Sequence, residues 1–248
     1  MKDLVVEAVT DRVWCLRRCS YLTCSYLVRG DHGVVLVDAG MDSAAGDVEL
    51  GLRHAGATWE DLSAIVLTHW HNDHAAGARE SQHRSGAATY CGRAEVPFLT
   101  GATRRPGLLG ALGDRWPERG PLVLAKGLLT NAPRHSVDEP IAVADGDVVA
   151  GLQIIATPGH TPGHISVWDP NDRILFSGDA LAIVGGSIRH MARPVTPDRL
   201  EAKRSMLRLL DLGPTLICPG HRRPMAPSAD ELRTARAAAS AKRWPLFG

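Results

Sequence analysis

The sequence predicts an α/β fold in which two β-sheets pack face to face and carry helices on their outer surfaces. Two observations lead to this expectation. Strand-like segments come first and then alternate with helix-like ones, and that order occurs in both halves of the 248-residue chain. No low-complexity linker separates the halves, so one domain spanning 1–248 is expected.

The first forty residues read as strands over Leu4–Val9, Val13–Leu16, Thr23–Arg29 and Val34–Asp38. The turn Gly30-Asp31-His32-Gly33 makes the last two a hairpin. A helix is expected from Ser43 to Ala55, stopped by Gly56 in the manner of a glycine C-cap. The β-branched, apolar run from Asp61 to Thr68 reads as a buried parallel strand. A helix from Asn72 to about Glu80 and a short strand near Ala88–Cys91 follow. From about 96 to 139, Pro, Gly and Arg interrupt every period. So long a stretch inside a domain is usually functional or mobile, and it reads either as a lid or as a surface insertion with small helices.

Strands resume at Leu152–Ala156, Ile165–Trp168 and Ile174–Phe176. Thr196-Pro197 offers an N-cap and a first-turn proline to a helix ending at Leu212, before Gly213-Pro214. After a buried strand at Thr215–Cys218, Ser228-Ala229-Asp230-Glu231 is a capping box opening a helix to about Arg243.

Composition bounds the function classes. A formal net charge of +1 gives no electrostatic case for nucleic acid or an anionic membrane. No run of about 18 apolar residues would span a bilayer. The N-terminal stretch has acidic residues inside its apolar run and lacks a cleavage-site pattern, so a cytoplasmic location is expected. The odd count of five cysteines fits reduced thiols. Cys15, Cys19 and Cys24 lack CxxC spacing and read as core thiols.

The chemistry concentrates in Thr68-His69-Trp70-His71-Asn72-Asp73-His74. Three imidazoles and a carboxylate on one short loop point to metal ligation, with zinc suited to that mixture and iron or manganese as alternatives. Ligands at i and i+2 of an extended strand end project to the same side, and a helix start re-aims the next ones. One loop can therefore serve two metal positions. Trp70 either walls the site or belongs to the core.

Four further segments share that grammar of apolar strand, turn and ligand-type side chain. They end in Asp38, His160, Asp179 and His221, and three of them place a Gly just before that side chain. His164, in Thr161-Pro162-Gly163-His164, and the pair Arg189 and His190, beyond the Asp179 strand, are candidate neighbours. His32, His54, His83 and His135 sit in polar contexts and are expected at the surface.

These five motifs, in this order, resemble the metallo-β-lactamase-fold hydrolase superfamily, and the resemblance runs from Val37-Asp38-Ala39-Gly40 to Pro219-Gly220-His221. It implies a four-layer αβ/βα sandwich, with two mixed sheets between outer helices and two Zn2+ ions between the sheets. By matching position, His69, His71 and His160 would hold one metal. Asp73, His74 and His221 would hold the other, and Asp179 would bridge both. Asp38 and His164 would support those ligands, and Trp70, Arg189 and His190 would line a substrate pocket.

The implied activity is attack by a metal-bridging hydroxide on a small ester, thioester or lactone, with Asp73 and Asp179 as the catalytic carboxylates. Pro158-Gly159-His160-Thr161-Pro162-Gly163-His164 is similar to glyoxalase-II-like thioesterases and lactonases, although the region after Asp179 departs from the glyoxalase II pattern. The alternatives are an iron-dependent redox member resembling persulfide dioxygenases, a β-lactamase, or a biosynthetic cyclase or thioesterase. The expected partner is a small molecule, with no nucleic acid and no membrane, in a monomer or a homodimer.

Overall fold

The computed structural model describes residues 3–102 and 137–240. A seven-stranded sheet contains β1 (Leu4–Ala8), β2 (Val13–Arg18), β3 (Thr23–Gly30), β4 (Gly33–Val37), β5 (Leu62–Leu67), β6 (Ala88–Gly92) and β7 (Ile141–Val143), side by side in chain order. Its first three pairings are antiparallel, and those from β4 to β7 are parallel. The second sheet is built from β8 (Val148–Val149), β9 (Leu152–Ala156), β10 (Ile165–Asp169), β11 (Ile174–Gly178) and β14 (Leu216–Pro219), in the order β14-β11-β10-β9-β8. Only β11 and β14 run parallel in it. Strands β12 (Ala182–Val184) and β13 (Ser187–Arg189) form a separate hairpin.

Period-two alternation sorts the apolar side chains into layers. In β4, Val35 and Val37 join a core with Ile154, Val167, Ile174 and Phe176 of the opposite sheet. Val34 and Leu36 point the other way, toward Val48 and Leu52 of α1 (Gly46–His54). In β11, Phe176 faces the first sheet, whereas Leu175 packs with Met206 and Leu209 of α5 (Arg199–Asp211) and Ala235 of α6 (Ala229–Ser240). The layers are thus helix, sheet, sheet, helix, as expected from the sequence.

Several boundaries depart from the sequence expectation. The helix expected from Asn72 to Glu80 is two short helices, α2 (Asn72–Ala75) and α3 (Ala78–Ser85), broken at Gly77. There the chain passes so close to Ala39 that a Cβ would lie 2.4 Å from its carbonyl oxygen. Helix α1 starts at Gly46 rather than near Ser43, because the Asp42 carboxylate accepts from the N–H groups of Ala44 and Gly46. Helix α5 is capped by Asp198, which accepts from the Glu201 N–H at 3.0 Å, and not by Thr196, whose hydroxyl donates to the Ala192 carbonyl. The Ser228–Glu231 capping box forms as expected.

The stretch expected to be irregular from 96 opens with helix α4 (Val96–Leu99). The Val137 N–H donates to the Leu99 carbonyl at 2.8 Å, so the two ends of the segment meet. The expected lid, His135 and the end of the last helix lie outside the described residues. Cys15 and Cys24 are buried as expected, but Cys19, in the turn after β2, is exposed. Among the described residues, no helix is long and apolar enough to cross a membrane.

Candidate metal centre

The seven candidate ligands and Asp38 all lie beyond the C-terminal ends of strands. Asp38 follows β4, His69 to His74 follow β5, His160 follows β9, Asp179 follows β11 and His221 follows β14. The parallel pairs β4–β5 and β11–β14 end together, with Val37 beside Val66 and Gly178 beside Pro219. Both sheets therefore deliver their strand ends to one edge of the sandwich. Two glycines make the turns there. Gly159 (φ 136°) packs against the backbone of Ala202, and Gly178 (φ 49°) against Thr68, so a Cβ at either would clash.

His69, His71 and His160 meet nitrogen to nitrogen. His71 Nδ1 lies 3.0 Å from His69 Nε2 and 2.9 Å from His160 Nε2. A ring nitrogen carries either one in-plane hydrogen or one in-plane lone pair, so His71 Nδ1 cannot pair properly with both neighbours at once. A cation removes that conflict.

The remaining groups lie beside them. Asp179 Oδ2 is 3.4 Å from both His160 Nε2 and His221 Nε2, and its Oδ1 is 3.6 Å from His74 Nε2. Asp73 Oδ2 lies 3.5 Å from His221 Nε2 and 3.7 Å from His74 Nε2. Three sets could each hold an ion: His69, His71 and His160; His69, His74 and Asp179; and Asp73, His74 and His221. Buried His74 Nε2 and Asp179 Oδ1 have no hydrogen-bond partner among the described residues, as suits atoms directed at an ion. The donor set of imidazole and carboxylate fits zinc.

Asp38 sets two of these rings. Its carboxylate accepts from the Thr68 N–H at 2.8 Å, from the Thr68 hydroxyl and from His74 Nδ1 at 2.8 Å. Having donated to Asp38, the Thr68 hydroxyl oxygen accepts from His69 Nδ1 at 3.0 Å. Both rings thus carry a hydrogen on Nδ1 and direct Nε2 into the cluster.

His164 is buried beside the cluster, its ring 5.1 Å from that of His69, but it belongs to none of the three sets. The Asp179 N–H donates to its Nε2 at 3.0 Å, so its Nδ1–H donates to the Thr157 hydroxyl at 2.8 Å. That hydroxyl donates on to Ser166, and Ser166 to the Ser177 carbonyl. Burial, reinforced by the His160 charge, pushes His164 down to about 3, so the ring is neutral.

Burial holds His69 well below the usual imidazole range, and it lowers His160 as well. Burial opposes charge on His74 too, but Asp73, Asp38 and Asp179 outweigh it and raise the ring to about 10. Asp179 is likewise held well below the carboxylate range, because His221, His74 and His160 overcome its burial. The carboxylates therefore demand positive charge from their surroundings, whether protons or metal.

Trp70 packs on the core and also touches one of the candidate ligands. Its ring stacks on Phe98 at 5.0 Å and meets the His71 ring edge-on at 4.3 Å. Arg189 is exposed at the end of β13. His190 is buried, and burial together with nearby Lys203 pushes it down to about 4. His54 and His83 are exposed, the latter paired with Asp138 at 2.6 Å. Sequence reasoning missed Glu95, a fully buried carboxylate in the short helical turn after β6. It accepts from Trp70 N, Thr161 Oγ1 and Gly163 N, and its only sequence signal is an acidic residue inside the apolar stretch Ala94–Leu99.

Known proteins share this arrangement of strands and turns. A metallo-hydrolase of Bacillus subtilis, described as probable and named YflN, is 33% identical over 211 residues, covering 78% of this chain and 77% of the relative. A hydroxyacylglutathione hydrolase of Methylobacterium sp. is 33% identical over 203 residues, and the match spans 79% of this chain and 65% of that protein. A metallo-beta-lactamase family protein from Thermus thermophilus superposes with a TM-score of 0.60 at 25% identity, over 96% of this chain and 79% of that one. The profile of the metallo-beta-lactamase superfamily matches residues 22–221, a span that runs from the start of β3 to His221 and takes in every side chain of the cluster, and the chain belongs to that superfamily.

Proposed function

We propose that this protein is a hydrolase with two metal ions that cleaves a small ester, thioester or lactone. The observation that carries the reading is the convergence of His69, His71, Asp73, His74, His160, Asp179 and His221 on one edge of the sandwich, with His74 Nε2 and Asp179 Oδ1 buried and, among the described residues, without a hydrogen-bond partner. In this reading His69, His71 and His160 hold one ion, Asp73, His74 and His221 hold the other, and Asp179 lies between them. Zinc suits these donors, with iron or manganese as the alternatives to be measured. Such ions, when bound, polarise a carbonyl oxygen and lower the pKa of a coordinated water to about 7.

The chain's own residues supply position and proton handling. The Asp179 side chain is 4% exposed, and its main-chain N–H is tied to His164. It is suited to holding a fixed charge. The Asp73 side chain is 21% exposed, so it can exchange protons with solvent while lying beside His74 and His221. Trp70 and Phe98 offer an apolar wall next to His71 for the substrate's hydrocarbon part. The likeness to hydroxyacylglutathione hydrolases supports a thioester as the first substrate to try.

The test is a hydrolysis panel of thioesters, lactones, β-lactams and phosphodiesters, run on protein whose metal content is measured. Thioester or lactone cleavage that tracks bound zinc, and is lost in Asp179→Ala, supports the reading. Metal-free protein with no turnover of any of them, or iron with oxygen-dependent turnover, overturns it.

A further inference from the structure

Glu95 lies outside the seven converging side chains, yet it touches both loops that carry the three-imidazole set. Its Oε2 accepts from the main-chain N–H of Trp70, at 2.9 Å, between His69 and His71. Its Oε1 accepts from the Thr161 hydroxyl at 2.9 Å and from the Gly163 N–H at 2.7 Å, in the turn that begins with His160. The carboxylate is fully buried, so these three donors are its compensation for leaving water. The backbone around it leaves no slack. A Cβ on Gly92 would sit 1.9 Å from the Gly163 carbonyl oxygen, and one on Gly163 would sit 2.7 Å from Glu95 Oε1.

The two loops come from different sheets, β5 in the first and β9 in the second. A carboxylate with one oxygen on each loop fixes their separation. We infer that Glu95 is a positioning residue that clamps the His69–His71 loop to the His160 turn and so sets the geometry of the three-imidazole cluster. This inference rests on the proposed metal-binding function. Among the described residues Glu95 makes no hydrogen bond to Asp73, His74 or His221, so its effect falls first on the three-imidazole position.

An amide in its place has one acceptor oxygen. If that oxygen keeps Thr161 and Gly163, its NH2 faces the Trp70 N–H, donor against donor. Glu95→Gln therefore loosens the clamp with little change in volume.

The test is titration of chelator-stripped protein with cobalt(II) alone, followed by its visible absorption, with His160→Ala identifying the three-imidazole equivalent. Wild-type protein should bind two equivalents. In Glu95→Gln the three-imidazole equivalent should weaken about tenfold or more, the usual scale for partners that orient ligands, while the other stays within about twofold. Thr161→Val removes one of the three donors, so it should weaken the same equivalent by less, and it carries the test should Glu95→Gln not fold. If the variants bind both equivalents as wild type does, or lose both equally, Glu95 is a packing residue and the inference fails. If wild-type protein binds no cobalt, the proposed function fails first and takes this inference with it.

Discussion

Asp38 holds the ring of His74 by its Nδ1 at 2.8 Å while standing in the left-handed region of backbone space, at φ 57°. Asn tolerates that conformation at least as well as Asp, so Asp38→Asn tests the carboxylate without disturbing the turn. Asp38 Oδ2 accepts from both His74 Nδ1 and the Thr68 hydroxyl while Oδ1 accepts from the Thr68 N–H, so an amide whose oxygen keeps the first pair sets its NH2 against that N–H, donor against donor. Metal affinity should fall about 10- to 100-fold by chelator competition, with the fold retained. Asp38→Ala should be less stable than Asp38→Asn by a further ~1–2 kcal/mol in urea, since Ala adds the left-handed strain. Equal metal retention in Asp38→Asn and wild type would show that the ring needs no anionic partner.

Among the described residues, His164 Nε2 is the acceptor for the main-chain N–H of buried Asp179. Replacing it with Ala strands that N–H and opens a ring-sized void, a combined cost of about 2–4 kcal/mol in urea at pH 7. The difference should depend on pH. The folded pKa of about 3 lies below the ordinary 6.5, so the unfolded chain takes up the proton first as pH falls. The wild-type contribution is complete above about pH 6.5 and is lost progressively toward pH 3. At pH 5 the gap between wild type and His164→Ala should narrow by about 2 kcal/mol, 1.5 units at 1.36 kcal/mol each. A gap that widens on acidification would mean that the ring is charged in the native protein.

Metal removal should soften the whole domain. Ions that bind the native state alone at 100 times their Kd add ~2.7 kcal/mol, or about 5–10 °C in Tm for a chain of this size. Without an ion, His71 Nδ1 also has to tolerate both His69 Nε2 and His160 Nε2 within 3.0 Å. Differential scanning calorimetry with chelator, and again after zinc is restored, measures this. Identical Tm values in both states would show that these side chains hold no ion in solution.

What could be read from the sequence divides along a physical line. Strands such as Val34–Val37 declare themselves because both faces are buried, and each face demands an apolar residue at every second position. The cluster declared itself because imidazoles and carboxylates at strand ends are costly unless they serve a purpose, and the glycine turns ahead of His160, Asp179 and His221 are local features. Glu95 was silent because its partners Trp70, Thr161 and Gly163 are 25 to 68 residues away, and no spacing rule connects them. The helix break at Gly77 was hidden for the same reason, since the obstacle is a carbonyl on Ala39. Asp198 displaced Thr196 as cap because both residue types are good caps, and only the approach of the chain decides which is used. Short pairings such as β12–β13 have too few residues to show a period.

The thiols give a test of the fold that does not involve the metal. Cys15, Cys24, Cys91 and Cys218 are buried on strands, whereas Cys19 lies exposed in the turn after β2, its sulfur 3.4 Å from Arg17 Nη1. Burial pushes Cys91 up to about 12, and it carries Cys24 and Cys218 well above the usual thiol range. Only a thiolate that solvent can reach reacts readily. Native protein at pH 8 should therefore give one fast equivalent with a chromogenic disulfide reagent, and the four remaining thiols should appear only on denaturation. Cys19→Ser should remove the fast equivalent and leave the denatured count one lower. Two or more fast thiols in native protein would mean that the core between the sheets opens more readily than its packing implies.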